Sequence, residues 1–390
     1  MSDGETLLLV LALLYLSDCW LWVTKQSVAF VSPWCRHWRV ATLNSSLSNG
    51  RGGVVFMNPL PPLGCVFLSH LSPISISPNG ICAFNLQALP SVGRPTQTGR
   101  SLAFTEITGA GTDGAYVLVN NQRFTKTATA KQAQLISELI NRMTGADLSD
   151  RERIVRAHVA KQFAADEAAA VLQQGHVLVK PIRTMCSILF LFLFVATPVL
   201  VSFFGLLRVF IPVVVVTVTL AVQISIMFFR AHKKLYPNES QERIEDVVKM
   251  ILCPPVSIRA TDLLTRHLLS EYSPAVVAAL LSGSAAQEFV RAFILDLQHP
   301  LKHEVSDEAS AEIMAWAASE QLRHCLEHID RLGDSKREDL LAPHQPVGNS
   351  ISYCPRCGCQ FVVSSGVCPD CPGVGLLAFP QREAETKGAV

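Results

Sequence analysis

Net charge is almost absent from this chain: 33 basic and 32 acidic residues leave a formal charge of +1. No global field favours nucleic acid as a partner, because binding to phosphate backbones draws on an excess of cations. Also absent are a phosphate-cradling glycine loop, a nucleophile elbow and the zinc-protease pattern built on two histidines and a glutamate. No repeat recurs at solenoid periods, and no tract is of low complexity. No acid, base and nucleophile converge in the pattern, which argues against an enzyme. The most informative absence is local. From Ile188 to Phe229 the one formally charged side chain is Arg208.

As a single helix that stretch would run about 63 Å, whereas the hydrocarbon core of a bilayer is about 30 Å thick and takes roughly 20 residues per crossing. Arg208 sits near its midpoint, after Gly205 and ahead of Pro212. The stretch therefore reads as a transmembrane helical hairpin over 187–229, with spans at Ser187–Leu206 and Val209–Phe229 and a tight turn between them. A helix of a soluble protein keeps a polar face, and neither of these does. A third apolar run, Leu7–Val23, makes residues 1–23 an N-terminal transmembrane anchor. A cleaved signal peptide fits less well, since the leader carries Asp3 and Glu5 and the run ends in Trp20, Leu21 and Trp22. Asp18 is read as an interfacial carboxylate. Lys25, Arg36 and Arg39 follow the first run, Lys180 and Arg183 precede the hairpin, and Arg230, Lys233 and Lys234 follow it. Three spans put all these cations on the cytoplasmic side if the N-terminus and the turn at Arg208 lie outside. The expectation is a multi-pass protein of the plasma or bacterial inner membrane, with a cytoplasmic C-terminus.

The 390 residues, 49% of them hydrophobic, leave room for sizeable parts outside the bilayer. Residues 24–126 read as a β-rich cytoplasmic domain, with strands expected at Trp38–Leu43, Val54–Met57, Cys65–Leu68, Ile74–Ser77, Ile81–Asn85, Leu102–Ile107 and Tyr116–Asn120. Pro78, Asn79 and Gly80 mark a hairpin turn, because Asn-Gly tolerates positive φ. Residues Gly109 to Gly114 read as a loop. Cys35, Cys65 and Cys82 are expected to be buried thiols, their spacing being irregular. A helical extension, 127–183, holds one helix at Ala128–Met143 and another opened by a Ser149/Glu152 capping box and ended by Gly175. In element order alone, this β domain closed by a helix resembles bacterial pleckstrin-homology-like domains. Residues 239–332 read as a helical cytoplasmic region and 333–351 as a flexible linker. Within that region His324, Cys325 and His328 share a helix, but a solvent-facing pair of histidines is the simpler reading of that spacing. His303-Glu304 carries less still.

One motif carries chemistry. Cys354-Pro355-Arg356-Cys357 and Cys368-Pro369-Asp370-Cys371 form two Cys-x-x-Cys knuckles near the C-terminus. Four thiolates suit a closed tetrahedral Zn²⁺ shell of structural type. So short a segment cannot bury enough apolar surface to fold alone, and metal binding supplies on the order of 10 kcal/mol. Residues 352–378 resemble a zinc ribbon. The resemblance implies Cys354, Cys357, Cys368 and Cys371 as ligands, a small β core of Tyr353, Phe361 and Val362, and partner binding rather than catalysis. Two features depart from it: Pro372 stands before Gly373, and Cys359 is a fifth thiol able to compete as a ligand.

The resulting expectation is an α+β multi-domain membrane protein: three transmembrane helices, a small β-rich domain, a helical region and a C-terminal zinc ribbon. Its expected role is that of a non-enzymatic scaffold or accessory protein binding a cytoplasmic protein, with the lipid bilayer as its other partner. A subunit of a transporter or channel is the alternative. That reading requires oligomerisation, because the spans offer few polar residues beyond Thr217, Thr219, Gln223 and Ser225.

Overall fold

The computed structural model describes residues 2–13, 39–42, 53–57, 66–70, 74–83, 100–127, 129–281, 290–291, 293–295, 297–299, 308–332, 341–343, 345–371 and 373–379. The chain is mostly helical, with small three-stranded sheets. Strands β1 (Arg39–Thr42), β2 (Gly53–Met57) and β3 (Val66–His70) pair antiparallel in that order. A second sheet joins β4 (Ile74–Ile76), β5 (Gly80–Ala83) and β6 (Arg100–Ala103), and a third joins β7 (Ala110–Asp113), β8 (Tyr116–Val119) and β9 (Gln122–Lys126). The described strands among these form three small sheets, and the helix that follows them, Ala130–Thr144, packs on β7 and β8.

The β4–β5 turn is where the sequence predicts it, but neither Asn79 nor Gly80 takes a positive φ. The Ser77 hydroxyl holds the turn instead, accepting from the amides of Asn79 and Gly80. The stretch expected as a loop contains β7. Asn120 and Asn121 (φ 52° and 62°) turn β8 into β9, a hairpin that the sequence reading missed. Helix α2 (Ala130–Thr144) is capped by Thr129, whose side chain accepts from the Gln132 amide. It lays Ala133, Ile136, Leu139, Ile140 and Met143 into the core. On β7 the same helix supplies ladder partners: Asn141 exchanges two bonds with Ala110, and the Ser137 hydroxyl donates to Gly111. The Asn141 pair satisfies both backbone groups of Ala110.

Helix α3 (Leu148–Gln162) begins at Asp147 rather than Ser149. The Asp147 carboxylate accepts from the Asp150 amide, and that bond and the Ser149 hydroxyl hold it below the usual carboxylate range. The chain breaks at Phe163, and α4 (Ala165–Leu191) then runs straight through Gly175. The expected helix end at Gly175 is therefore corrected. A Cβ there would meet Leu268 Cδ2 at 2.3 Å, so the glycine serves close packing. The helix continues through a π segment, Phe192–Ala196, into α5 (Thr197–Phe204). Pro198 follows the π segment and cannot donate to the ladder, and the Thr197 hydroxyl donates to the Phe192 carbonyl five residues back.

Gly205 (φ 77°, ψ 152°) is the whole turn before α6 (Leu206–Leu235), which packs on both α4 and α5. This backbone conformation is essentially glycine-only. Among the described residues two helices are long and apolar enough to cross a membrane, Ala165–Phe204 and Leu206–Leu235. Their outward faces show large apolar residues to the surroundings: Phe203 is 79% exposed, Leu207 93% and Ile211 70%. Ser225 and Thr219 donate to the carbonyls of Ala221 and Val215 one turn back in the same helix.

Of the third expected span the described part is helix α1, residues 3–13; residues 14–23 of the expected anchor lie outside the described residues. Gly4 of α1 is buried, and a Cβ on it would lie 2.6 Å from the Pro198 carbonyl oxygen and 2.1 Å from Ser202 Oγ.

Past the hairpin come α7 (Ser240–Leu252), a 3-10 turn at Pro254–Arg259, α8 (Ala260–Thr265), α9 (Pro274–Leu281) and α10 (Glu308–Leu332). Helix α10 lies on α3, β4 and β5. One contiguous apolar core runs from β4–β8 through α2, α4 and α6 into α8, α9 and α10. Polar side chains are buried after the hairpin as well: Glu239, Arg243 and Asp246, and the Arg259–Asp262 pair.

Candidate metal centre

The C-terminal segment forms a separate small core of Cys354, Cys368, Cys371 and Val374, with Phe361 and Leu376 packed on it. Its sheet has β10 (Ser352–Tyr353) between β11 (Gln360–Phe361) and β12 (Leu377–Ala378). Each knuckle folds back through backbone bonds. Gly358 N donates to Cys354 O and Cys354 N to Cys359 O; Cys371 N donates to Cys368 O and Cys368 N to Val374 O. Gly358 and Gly373 take positive φ just beyond the two knuckles, while Pro372 lies outside the described residues.

These turns bring the thiols of Cys354, Cys357, Cys368 and Cys371 within 4.8 Å of one another. All four are free cysteines. Cys357 and Cys368 stand 3.7 Å apart, and a tetrahedron with metal–sulfur bonds of about 2.3 Å has sulfur–sulfur edges of about 3.8 Å. The donor set thus fits a four-coordinate, sulfur-preferring cation. Three of the four residues are buried. Burial, then the neighbouring Cys354 and Cys357, push the Cys371 thiol well above its ordinary range. Crowded thiols resist ionising without a cation, and a bound dication reverses that preference. Four sulfur ligands would fill a tetrahedral shell and leave no coordination position for a substrate, as in structural sites.

Cys359 stands apart from the four. It is exposed, its sulfur lies 3.9 Å from the Asp370 carboxylate, and its thiol is pushed up to about 11, first by its hydrogen bond to Cys357. The expected β core is also adjusted. Phe361 packs on the cysteines and Tyr353 meets Phe379 at a tilt, ring centroids 5.0 Å apart, but Val362 is 70% exposed.

The segment is tied to the helical region by a residue the sequence reading passed over. Arg356, inside the first knuckle, is 5% exposed and donates from Nη1 to the His299 carbonyl. Burial and then Arg356 lower the His299 pKa. Arg291 donates to the Ala342 carbonyl, and Gln360 bonds to both Val347 and Gln345, so the described part of 341–351 is fastened at both ends. Residues 333–340 of the expected flexible linker lie outside the described residues. A small cleft of about 130 Å³ remains between the two parts, bordered by Arg291, His299, Tyr353 and Phe379.

His324 stacks on Phe163 at 5.4 Å, beside Arg323, Glu320 and Glu327, and Cys325 is buried. The side chain of His328 and all of His303-Glu304 lie outside the described residues, as do Cys35 and Cys65, whereas Cys82 is buried as expected. Compared with family models, with curated proteins and with solved structures, the chain matches none.

Proposed function

We propose that the chain is a membrane-anchored, non-enzymatic scaffold or accessory protein whose zinc ribbon binds a cytoplasmic protein partner. The observation that carries this reading is the ribbon's surface. Its interior is little more than Cys354, Cys368, Cys371 and Val374, and Val362, Val363, Val367 and Leu377 are 47–70% exposed around it. Aliphatic residues gathered on so small a module mark a protein contact. Zn²⁺ is the metal that best suits four thiolates in a closed shell, and the bilayer is the environment that best suits the bare aliphatic flanks of α4–α6.

Three spans with the N-terminus outside remain the topology proposed. It draws support from Gly4, which meets the hairpin within one helical turn or two of Gly205, so the N-terminus and the turn share an end. The basic flanks and the ribbon then share the cytoplasmic end.

The test uses the full chain extracted in detergent. Elemental analysis should find about one zinc per chain, with the ribbon thiols protected until chelation. A protein that co-purifies with the native chain should be lost from a Cys368→Ser, Cys371→Ser variant that still inserts. Metal-free protein with those cysteines in disulfides would remove both the ribbon and its cytoplasmic placement. Solute flux in proteoliposomes, unaffected by the cysteine changes, would favour the transporter-subunit alternative.

A further inference from the structure

Helix α7 is built inside out for a helix in water. Its buried side carries Arg243, Asp246 and Met250, whereas Ile244, Val248, Ile251 and Leu252 are exposed by 44–79%. Those four positions follow the i, i+4, i+7, i+8 spacing of one helical stripe. Glu242, Glu245 and Lys249 occupy the remaining arc, with Lys249 paired to Glu245 at 2.7 Å. A soluble helix with this periodicity would turn its aliphatic stripe inward, and here the stripe faces away from the core. Nothing in the described chain covers it.

The level at which α7 lies identifies what does. The helix packs along α6, with the Arg243 guanidinium over the Phe229 ring at 5.1 Å. At its other end the Ser257 hydroxyl donates to the Met250 carbonyl, and the Cys186 thiol donates to the Ser257 carbonyl. Phe229 closes the uncharged stretch of the hairpin and Cys186 lies just ahead of its opening. Helix α7 is therefore fastened at both ends to the boundary of the apolar hairpin, where Ile188, Ile226 and Phe229 are also exposed. Lys180, Arg230, Lys233 and Lys234 are exposed at the same boundary. Cations beside an apolar stripe match the headgroup level of a bilayer with anionic lipid.

We infer that α7 is an interfacial membrane helix, with Ile244, Val248, Ile251 and Leu252 seated at the junction of acyl chains and headgroups of the bilayer that the hairpin crosses. This rests on the membrane reading above and adds to it. The region after the hairpin is held flat against the bilayer by its own contact, instead of hanging from α6. The same seating accounts for the inward-facing Arg243 and Asp246, since the outward side of the helix is the less polar one.

The experiment places a photo-crosslinking amino acid, benzoylphenylalanine, at one position at a time in the full chain. The chain is reconstituted in phosphatidylcholine vesicles containing a minor fraction of phosphatidylglycerol. Val215 on α6 reports on the hairpin, Val248 on the α7 stripe and Lys249 on its polar arc. Lipid adducts at 215 and 248, with near-background labelling at 249, are the expected result. Adducts at 215 with none at 248, or adducts from 248 to a second copy or another protein, would overturn the α7 assignment while leaving the hairpin in the membrane. No lipid adduct at 215 would remove the membrane reading itself, and the α7 assignment with it.

Discussion

Glu239 is a carboxylate held where ionisation is unfavourable. It is 6% exposed at the start of α7, and one of its carboxylate oxygens has no hydrogen-bond partner. Burial first, and Glu242 second, push its pKa up to about 7, against the opposing pull of Arg266 and Lys131. The folded chain therefore binds a proton that the unfolded chain has already released between the ordinary glutamate range and about pH 7. The stability associated with that proton is present in acid and is lost as pH rises through the folded value. Glu239→Gln keeps the shape and removes the charge. The substitution is expected to raise stability by about 1–3 kcal/mol near pH 8 and to change it little near pH 4. Thermal melts in detergent across that range check this, and a gain independent of pH would place the effect elsewhere. At the metal centre the cysteines divide by position. Cys371→Ser removes a buried member of the cluster and is expected to abolish stoichiometric zinc, whereas Cys359→Ser, at an exposed thiol outside it, should leave zinc content unchanged. Elemental analysis of the two purified variants makes the comparison, and equal loss in both would move Cys359 into the shell.

Among the elements, the hairpin turn is the most exacting, because one residue makes it. Gly205 has open space around its Cα, so a methyl group there meets no atom, yet its φ and ψ lie where other residues are strained. Gly205→Ala should therefore cost about 1–3 kcal/mol through backbone strain alone, read as a lowered melting midpoint in detergent. A neutral result would mean that the turn has a second conformation open to it. The hairpin was legible in the sequence because its signal is a long absence of charge, which packing does not blur. The two knuckles were legible for a similar reason, since cysteine spacing is stated outright. Other elements depended on contacts that the sequence does not spell out. Gly175 has the look of a helix stop, and only the Leu268 side chain against it shows that it serves packing. Strand β7, Ala-Gly-Thr-Asp, has no apolar alternation, and it pairs with β8 and takes further bonds from Asn141 and Ser137 of α2. Arg356 looks like a solvent-facing knuckle residue until the His299 carbonyl is seen in front of it. The aliphatic stripe of α7 does show in the sequence, but its spacing is the same whether the stripe faces a core or a bilayer.

At the scale of the whole molecule, the ribbon and the hairpin have separate cores joined through the helical region, so they should respond to different insults. A strong chelator is expected to raise amide hydrogen exchange through residues 352–379, where thiols and backbone turns replace a core, and to leave α4 and α6 protected. The same separation governs topology. Gly4 lies against Pro198 and Ser202, near the turn, while the cations at 180, 183, 230, 233 and 234 gather at the far end of the hairpin. Because cations are retained on the cytoplasmic side, the turn end should face outward and the ribbon inward. An epitope tag added ahead of Met1 should then be removed by protease applied to intact cells, and a tag added after Val390 should survive until the cells are permeabilised. The ribbon chemistry depends on that result. Thiols on the cytoplasmic side stay reduced and free for a metal, whereas an oxidising compartment would drive the paired cysteines toward disulfides. A C-terminal tag cut from outside would therefore overturn the orientation and the zinc assignment together.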